Sequence, residues 1–181
     1  DLEDLRLRTR AFVDEHVIPL ESDPANYDEF ENIRLDVLAG LRLKAKKVGL
    51  WAPQSPKEFG GMGLPITSWA VMYEEANRSI FGPSAFNCQA PDDGNMNLLA
   101  KVGTPAQKER WLRPIVEGKV RSSFAMTEPH PGGGSDPSMI RTRAVKKGNK
   151  WVISGHKWFI SAAAEASHFI LVARTSDDTR R

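Results

Sequence analysis

Two short segments hold the side chains and backbone groups best suited to bind a ligand. The first, Phe124 to Pro129, reads Phe-Ala-Met-Thr-Glu-Pro, and the second, Gly155 to Ser161, reads Gly-His-Lys-Trp-Phe-Ile-Ser. Each combines apolar side chains with a hydroxyl, that of Thr127 in the first segment and that of Ser161 in the second. A planar redox ring such as flavin needs hydrogen-bond donors in its plane and a flat apolar wall against its face. By itself, the first segment also fits a strand end that is interrupted by proline.

The loop that follows the first segment, His130 to Asp136, contains three consecutive glycines, Gly132 to Gly134. Glycines allow a ligand to approach the main chain, but they serve equally well in a flexible linker. The run lacks the alternating glycines of a dinucleotide-binding turn and the lysine and hydroxyl that close a phosphate loop. A Rossmann or P-loop site is therefore excluded, and the use of this loop stays open between ligand and linker.

The second segment places an aromatic residue, Phe159, two positions before the hydroxyl of Ser161. On an extended chain the two side chains would point to the same face. A ring there could pack against a flavin while the hydroxyl reached the polar edge of the cofactor. As a lone pattern, the same residues are also typical of a sheet core.

The composition is that of a soluble folded protein, with 40% apolar and 27% charged residues among 181. The 25 basic and 23 acidic residues show no basic block, so nucleic-acid binding is not expected. Cys88 is the only cysteine, which excludes an internal disulfide and favours a small buried side chain. The histidines lack partners at metal-ligand spacing, so no metal site is expected. The charged N-terminus and the absence of a long apolar run predict neither secretion nor a membrane span.

Apolar residues recur at helical spacing in the first two thirds of the chain. The predicted helices cover residues 2–17, 35–48, 67–80 with Thr67 as N-cap, about 94–102, and 104–118, where Thr104 to Gln107 form a capping box. All of them are amphipathic and must bury one face.

Beyond the last helix the apolar positions alternate. They do so from Ile140 to Val145 and from Trp151 to Ile153, with a turn at Lys147 to Asn149 between them, and the strand pattern continues from His156 to Ile160. This pattern predicts antiparallel sheet. Phe169 to Ala173 is denser in apolar residues and predicts a strand that is covered on both faces. The expected fold class is α+β, with helices before and strands after a boundary near residues 118–122.

Taken in order, the motifs resemble those of the acyl-CoA dehydrogenase family across the whole chain. They are Glu58–Gly63, Gly103-Thr104 with Gln107-Lys108, Phe124–Pro129, Gly134–Asp136 and Gly155–Ser161. Asn87–Met96 is similar to the branch that includes the mammalian kinase-linked members and their free-standing bacterial relatives.

The resemblance implies an N-terminal all-α helical domain at residues 1–120. Residues 121–181 would then be the incomplete start of an antiparallel β-barrel-like middle domain that carries the flavin-facing motifs, and the C-terminal helical bundle would be absent. Family proteins are roughly twice as long, as two-domain enzymes often are. Because the chain starts at Asp1 without methionine and stops at Arg181 directly after a strand-like segment, we expect a fragment of a longer protein.

The resemblance also implies FAD as cofactor and assigns residues to it. The expected cofactor-binding residues are Phe124, Ala125, Met126, Thr127, Ser135, Phe159, Ile160 and Ser161, and Ser135 would also contact the substrate. Phe159 occupies the place where the family most often has tryptophan, and Ser161 that of a frequent threonine. The His130-Pro131 insertion lengthens the loop before Ser135.

The implied reaction is α,β-dehydrogenation of an acyl-CoA thioester in fatty-acid β-oxidation. A carboxylate base would take the α-proton, and flavin N5 would take the β-hydride, giving trans-2-enoyl-CoA. The base is expected outside this chain, so the fragment alone is expected to be inactive and no catalytic residue is assigned. Glu128 is not a candidate, because burial would more naturally pair it than free it.

The resemblance implies partners as well: the acyl-CoA substrate, an electron-transfer flavoprotein as electron acceptor, and further copies of the chain in a homodimer or homotetramer. The compartment would be the cytoplasm in a bacterium, or the mitochondrion or peroxisome in a eukaryote. Two alternatives stay open. One is an acyl-CoA or nitroalkane oxidase of the same fold that uses dioxygen, and the other is an inactive fragment that acts only in assembly.

Overall fold

The computed structural model describes residues 1–134 and 136–177. The chain forms two compact units, Asp1–Lys119 and Val120–Arg181. The first unit is helical, and the second contains the strands. The α+β class predicted from the sequence is therefore confirmed.

The helical unit consists of α-helices connected by shorter helical segments. The α-helices are α1 (Leu2–Phe12), α2 (Leu35–Lys47), α3 (Ile66–Ala76), α4 (Gly82–Ala85), α5 (Asp92–Val102), α6 (Pro105–Gln107) and α7 (Arg113–Val116). A π-helical segment, Val13–Val17, continues α1, and another, Lys108–Leu112, joins α6 to α7. In the described part of the chain, none of the helices has both the length and the apolar character that crossing a membrane requires.

The start of α6 confirms the predicted capping box. The Thr104 hydroxyl accepts a hydrogen bond from the Gln107 amide at 3.3 Å, and the Gln107 side chain accepts one from the Thr104 amide at 2.8 Å. The prediction that Thr67 caps α3 is wrong, because α3 begins at Ile66, directly after Pro65. Pro65 takes the capping position with φ −67° and ψ 158°, which leaves Thr67 inside the first turn.

A large apolar core holds the helical unit together. Phe86 and Met96 are completely buried and Met72 almost so, and the Phe86 ring centroid lies 5.1 Å from that of Phe12 on α1. Cys88 is free and buried, as its lone occurrence predicted. Burial of such side chains is the main stabilising term in a unit of this kind.

One buried carboxylate joins α1 to α3. Glu75 on α3 accepts hydrogen bonds from Arg10 Nε at 2.9 Å and from Arg6 Nη1 at 3.3 Å, both on α1. Burial raises the pKa of Glu75, but the bonds from Arg10 and Arg6 outweigh this effect, and the pKa is lowered. Glu75 therefore stays ionised and paired at neutral pH.

The described residues of the second unit contain short strands in two sheets. The strands are β1 (Arg121–Ala125), β2 (Arg143–Lys147), β3 (Lys150–Ser154) and β4 (Ala166–Leu171). β2 and β3 form an antiparallel hairpin whose turn contains Gly148 at φ +60°. β1 pairs with β4 in parallel, with Ser123 opposite Phe169 and Ala125 opposite Leu171.

The antiparallel prediction is thus confirmed for β2 and β3 and wrong for β1 and β4. Between β1 and β4 lie some forty residues that include the hairpin, which is enough for the crossover that parallel pairing requires. The strands in residues 120–134 and 136–177 form two two-stranded sheets and no closed barrel. The prediction of a strand covered on both faces is also wrong, because Phe169 and Leu171 on β4 are 47% and 41% exposed.

Backbone hydrogen bonds of the segment after β4 link the two sheets. The Val172 amide donates to the Ala125 carbonyl at 3.0 Å, on the β1 side. The Arg174 amide donates to the Thr142 carbonyl at 2.8 Å, and its carbonyl accepts from the Ala144 amide at 2.9 Å, on the β2 side. The end of β1 and the start of β2 are therefore held in one framework.

Candidate cofactor site

The two segments singled out in the sequence lie side by side in the strand unit. The Trp158 amide donates to the Thr127 carbonyl at 3.1 Å, and the Ser123 hydroxyl donates to the Ser161 carbonyl at 2.8 Å. β1 ends at Ala125, inside the first segment, and the second segment follows β3. Residues more than thirty positions apart in the sequence are therefore neighbours.

The predicted cofactor-binding residues differ widely in exposure. Ala125 is buried; Phe124, Met126, Thr127 and Ile160 are half-buried; and Ser161 and Phe159 are exposed, Phe159 to 82%. Ser135, predicted to contact both cofactor and substrate, lies outside the described residues.

The second segment is not extended, which corrects the expectation that Phe159 and Ser161 share a strand face. Phe159 has φ +51° and Ala162 has φ +59°, in the left-handed region. The Ala163 amide donates to the Ile160 carbonyl at 3.2 Å, so the chain turns here. A left-handed conformation at an aromatic residue stores on the order of 1–3 kcal/mol of strain and is found mainly at functional sites.

Apolar groups and hydroxyls do occur together in this region. Phe124 and Met126 are half-buried, and the rings of Trp158 and Phe159 lie 4.7 Å apart at an interplanar angle of 36°. The hydroxyl of Thr127 is in the same stretch of chain as Met126. Such a mixture of apolar surface and hydroxyls suits the face and the polar edge of an isoalloxazine ring, so the residues present fit the flavin that the sequence predicts.

The glycines of the loop differ in whether the protein itself fills the space beside them or leaves it open to a ligand. A Cβ on Gly132 would lie 2.5 Å from Glu128 Oε2 and 2.7 Å from Glu128 Cβ. One on Gly133 would lie 2.5 Å from the Asp136 carbonyl oxygen and 2.8 Å from Met139 Cβ. Among the residues that the structure describes, a Cβ on Gly134 would meet only Thr127 Cγ2, at 4.0 Å. Gly132 and Gly133 are thus required by the protein's own packing, and the main chain is open to a ligand at Gly134.

Glu128 is buried beside the site, and each of its carboxylate oxygens accepts hydrogen bonds. Oε1 accepts from Lys157 Nζ at 2.8 Å and from the Thr142 amide at 2.9 Å, while Oε2 accepts from the Arg141 amide at 2.6 Å. Burial raises the pKa of Glu128, but the bonds from Lys157 and from the Arg141–Thr142 segment outweigh it and lower the pKa to about 2. The expectation that Glu128 is paired rather than a free base is confirmed.

Sequence reasoning missed Lys157. Its ammonium group also donates to the Met126 carbonyl at 2.7 Å, and its side chain is only 9% exposed. The available signal was a lysine between Gly155 and the aromatic pair Trp158-Phe159, where a free charge would be costly to bury. The partner could not be read from the sequence, because Glu128 is 29 residues away.

Two family models match the chain and together cover nearly all of it. The model for the acyl-CoA dehydrogenase N-terminal domain matches residues 1–119. The model for the acyl-CoA dehydrogenase middle domain matches residues 123–181.

Individual proteins similar to the chain include both bacterial and animal ones. FadE2 of Mycobacterium tuberculosis, described as a probable acyl-CoA dehydrogenase, is 37% identical over 97% of this chain and 44% of its own length. Acyl-CoA dehydrogenase family member 11 of Gallus gallus is 37% identical over 89% of this chain and 21% of its own length. A solved structure described as a putative acyl-CoA dehydrogenase from Mycobacterium abscessus has a TM-score of 0.77 at 36% identity, covering 88% of this chain and 42% of that one. The chain therefore spans less than half the length of these relatives.

The glycine packing predicts a contrast between two substitutions. Gly132→Ala should lower the free energy of unfolding by about 1–3 kcal/mol, because the new methyl group overlaps the fixed Glu128 side chain. Gly134→Ala should change it by less than about 0.5 kcal/mol, since the methyl group meets only an ordinary contact. Urea unfolding of the two variants beside the wild type tests this, and equal destabilisation by both would contradict the assignment.

The lowered pKa of Glu128 predicts a pH-dependent loss of stability. Its stabilisation is complete above the ordinary carboxyl pKa of 4.5 and disappears as the pH falls through about 2. Glu128→Gln should therefore cost about 3 kcal/mol at pH 7, the lower range for breaking a buried pair. The difference from wild type should shrink as the pH falls from 4.5 towards 2. Urea unfolding at a series of pH values measures this, and a difference that stays constant would refute it.

Proposed function

We propose that this chain, which belongs to the acyl-CoA dehydrogenase family, is part of a flavin-dependent oxidoreductase that dehydrogenates acyl-CoA thioesters. The observation that carries the proposal is the backbone bond between Trp158 and Thr127, which brings the two ligand-suited segments together. The product would be the trans-2-enoyl-CoA, formed by loss of an α-proton and a β-hydride.

FAD, when bound, would supply the hydride acceptor at N5 of its ring. The hydroxyls of Thr127 and Ser161, with neighbouring backbone amides, would hold the polar edge of the ring. Its face would be lined by Phe124, Ala125, Met126, Phe159 and Ile160. Ser135 would contact both the cofactor and the CoA thioester.

The α-proton would be taken by a carboxylate in a part of the protein outside this chain. Glu128 cannot serve, since Lys157 and two amides occupy its oxygens and its pKa is held at about 2. A general base works best when its pKa lies near the working pH. The role of this chain would thus be to hold the cofactor and orient the thioester.

Further proposals concern the whole protein. The helical domain would end near residue 120, and the strands that follow would belong to a β-barrel-like domain completed by further chain. The electrons would pass to an electron-transfer flavoprotein, and the enzyme would act in β-oxidation as a homodimer or homotetramer. The compartment would be the cytoplasm in a bacterial cell, or a mitochondrion or peroxisome in a eukaryotic one.

The function is tested with the purified protein that contains this chain. We expect a flavin absorption spectrum that bleaches when an acyl-CoA is added without oxygen, because the substrate's electron pair moves to the cofactor. Thr127→Val should weaken FAD binding about tenfold or more through loss of one buried hydrogen bond.

The same assay separates the alternatives. Reoxidation by dioxygen faster than by electron-transfer flavoprotein would assign an oxidase. Absence of a flavin spectrum, even after FAD is added in excess, would overturn the proposal and leave a role in assembly only.

The strained backbone of Phe159 predicts that stability and cofactor binding respond in opposite directions. Phe159→Gly should raise the free energy of unfolding of the FAD-free protein by about 1 kcal/mol, because glycine adopts φ +51° without strain. It should also weaken FAD binding about threefold to tenfold by removing ring packing. Thermal unfolding and flavin fluorescence titration measure the two effects. Phe159→Trp is the matched control that keeps an aromatic ring, and unchanged FAD affinity in the glycine variant would contradict the assigned role.

A further inference from the structure

The strand unit buries an ion pair more deeply than it buries its aromatic side chains. The side chains of Lys157 and Glu128 are 9% and 3% exposed, whereas Trp151 is 54% and Phe159 82% exposed. A buried ion pair is often no better for stability than well-packed apolar residues of the same volume. The pair therefore points to a role in fixing the conformation, in addition to any effect on stability.

The contacts of the pair connect three separate segments. The Glu128 carboxylate holds the amides of Arg141 and Thr142, which lie 13 and 14 residues further along the chain. The Lys157 ammonium group holds that carboxylate and also the Met126 carbonyl, 31 residues earlier. Removal of either side chain would leave buried polar groups without partners, at a cost larger than that of the lost bonds.

These contacts flank the backbone bond that joins the two cofactor-facing segments. Thr127 stands between Met126 and Glu128, both of which Lys157 holds, and the Trp158 amide donates to the Thr127 carbonyl at 3.1 Å. The register of Thr127 against Trp158 is thus fixed by three adjacent bonds. A change of register would alter the direction in which the Thr127 hydroxyl points.

The same carboxylate closes the glycine loop. The amides of Arg141 and Thr142 fix the far end of the loop to Glu128, and the Glu128 amide donates to the Gly133 carbonyl at 2.8 Å. Gly132 packs directly against the Glu128 side chain. The position of Gly134, where the main chain is open, therefore depends on the Glu128 carboxylate.

We propose that Glu128 and Lys157 are positioning residues that set the register of the Thr127 and Trp158 segments and the closure of the glycine loop, so that the flavin site is formed before the cofactor arrives. This inference rests on the proposed function, since it assigns the purpose of the pair to flavin binding. Neither residue takes part in the chemistry. Position 128 requires a carboxylate, because its two oxygens accept hydrogen bonds from two backbone amides as well as from the lysine.

Four variants of the whole protein test the proposal. Glu128→Gln and Lys157→Met each remove one charge, Lys157→Arg keeps the charge, and Glu128→Lys with Lys157→Glu exchanges the two. Glu109→Gln is the matched control, because Glu109 forms an exposed pair with Arg113 on the surface of the helical unit. The measurements are FAD affinity by fluorescence titration, the flavin absorption spectrum at saturation, and amide hydrogen exchange of the FAD-free protein.

We expect FAD affinity to fall about tenfold or more in Glu128→Gln and Lys157→Met, with an altered flavin spectrum even at saturation. Protection of the Trp158 and Arg141 amides should fall about tenfold or more in the same two variants. Lys157→Arg should retain most of the affinity, and Glu109→Gln all of it. The exchanged pair should not recover it, because a lysine at position 128 cannot accept from the two amides.

The outcomes separate this inference from the proposed function. If the wild type binds FAD and the two charge-removing variants bind it equally well with the same spectrum, the inference is overturned and the function stands. If the wild type binds no FAD, the function fails, and retained protection of the Trp158 amide in both variants overturns the positioning role as well. Full recovery of FAD affinity in the exchanged pair would show that charge attraction alone is sufficient, and this result would also overturn the inference. A variant that loses its far-UV circular dichroism is left out, and the other charge-removing variant then decides: wild-type FAD affinity with unchanged protection of the Trp158 amide overturns the inference, and loss of both supports it.

Discussion

The strand unit depends on the pairing of one buried carboxylate. In residues 120–134 and 136–177 the buried apolar side chains are those of Ala125 and Ile140, while the buried polar residues are Ser122, Ser123, Glu128 and Thr142. Within this chain, therefore, few buried apolar side chains hold the connecting segments in place. The hydrogen bonds of Glu128 determine the conformation of these segments instead, because a buried charge tolerates very few arrangements of its partners.

The helical unit uses a buried carboxylate differently. Glu75 bonds to arginines of α1 across an interface whose position the apolar core already determines. Its partners are the partly exposed side chains of Arg6 and Arg10, so water screens their attraction to the carboxylate. Glu128 instead bonds mainly to backbone amides, which cannot move without moving the chain. The first carboxylate stabilises an interface, and the second determines a conformation.

The same contrast explains what the sequence could predict. Local rules predicted the capping box at Thr104, the β2–β3 hairpin and the burial of Cys88, because each depends on neighbours in the chain or on side-chain type. The meeting of the Thr127 and Ser161 segments came from the family resemblance. The parallel pairing of β1 with β4, the partner of Lys157 and the left-handed Phe159 were missed. The first two are set by contacts between residues far apart in sequence, for which periodicity carries no signal.

The glycine run shows why a motif needs its surroundings before it can be interpreted. From the sequence, the run allowed either a ligand or a linker, and both interpretations treated its glycines as equivalent. Among the described residues, the structure distinguishes them by which atoms a side chain would meet: those of Glu128 at Gly132, the Asp136 carbonyl and Met139 at Gly133, and no more than an ordinary contact at Gly134. A linker would not require two of its glycines for close packing, and a loop made entirely for ligand approach would not fill that space with its own side chains. The run therefore combines two closely packed glycines, Gly132 and Gly133, with one open position, Gly134. Glu128, which packs against Gly132, is the sequence neighbour of Thr127, which lies beside Gly134.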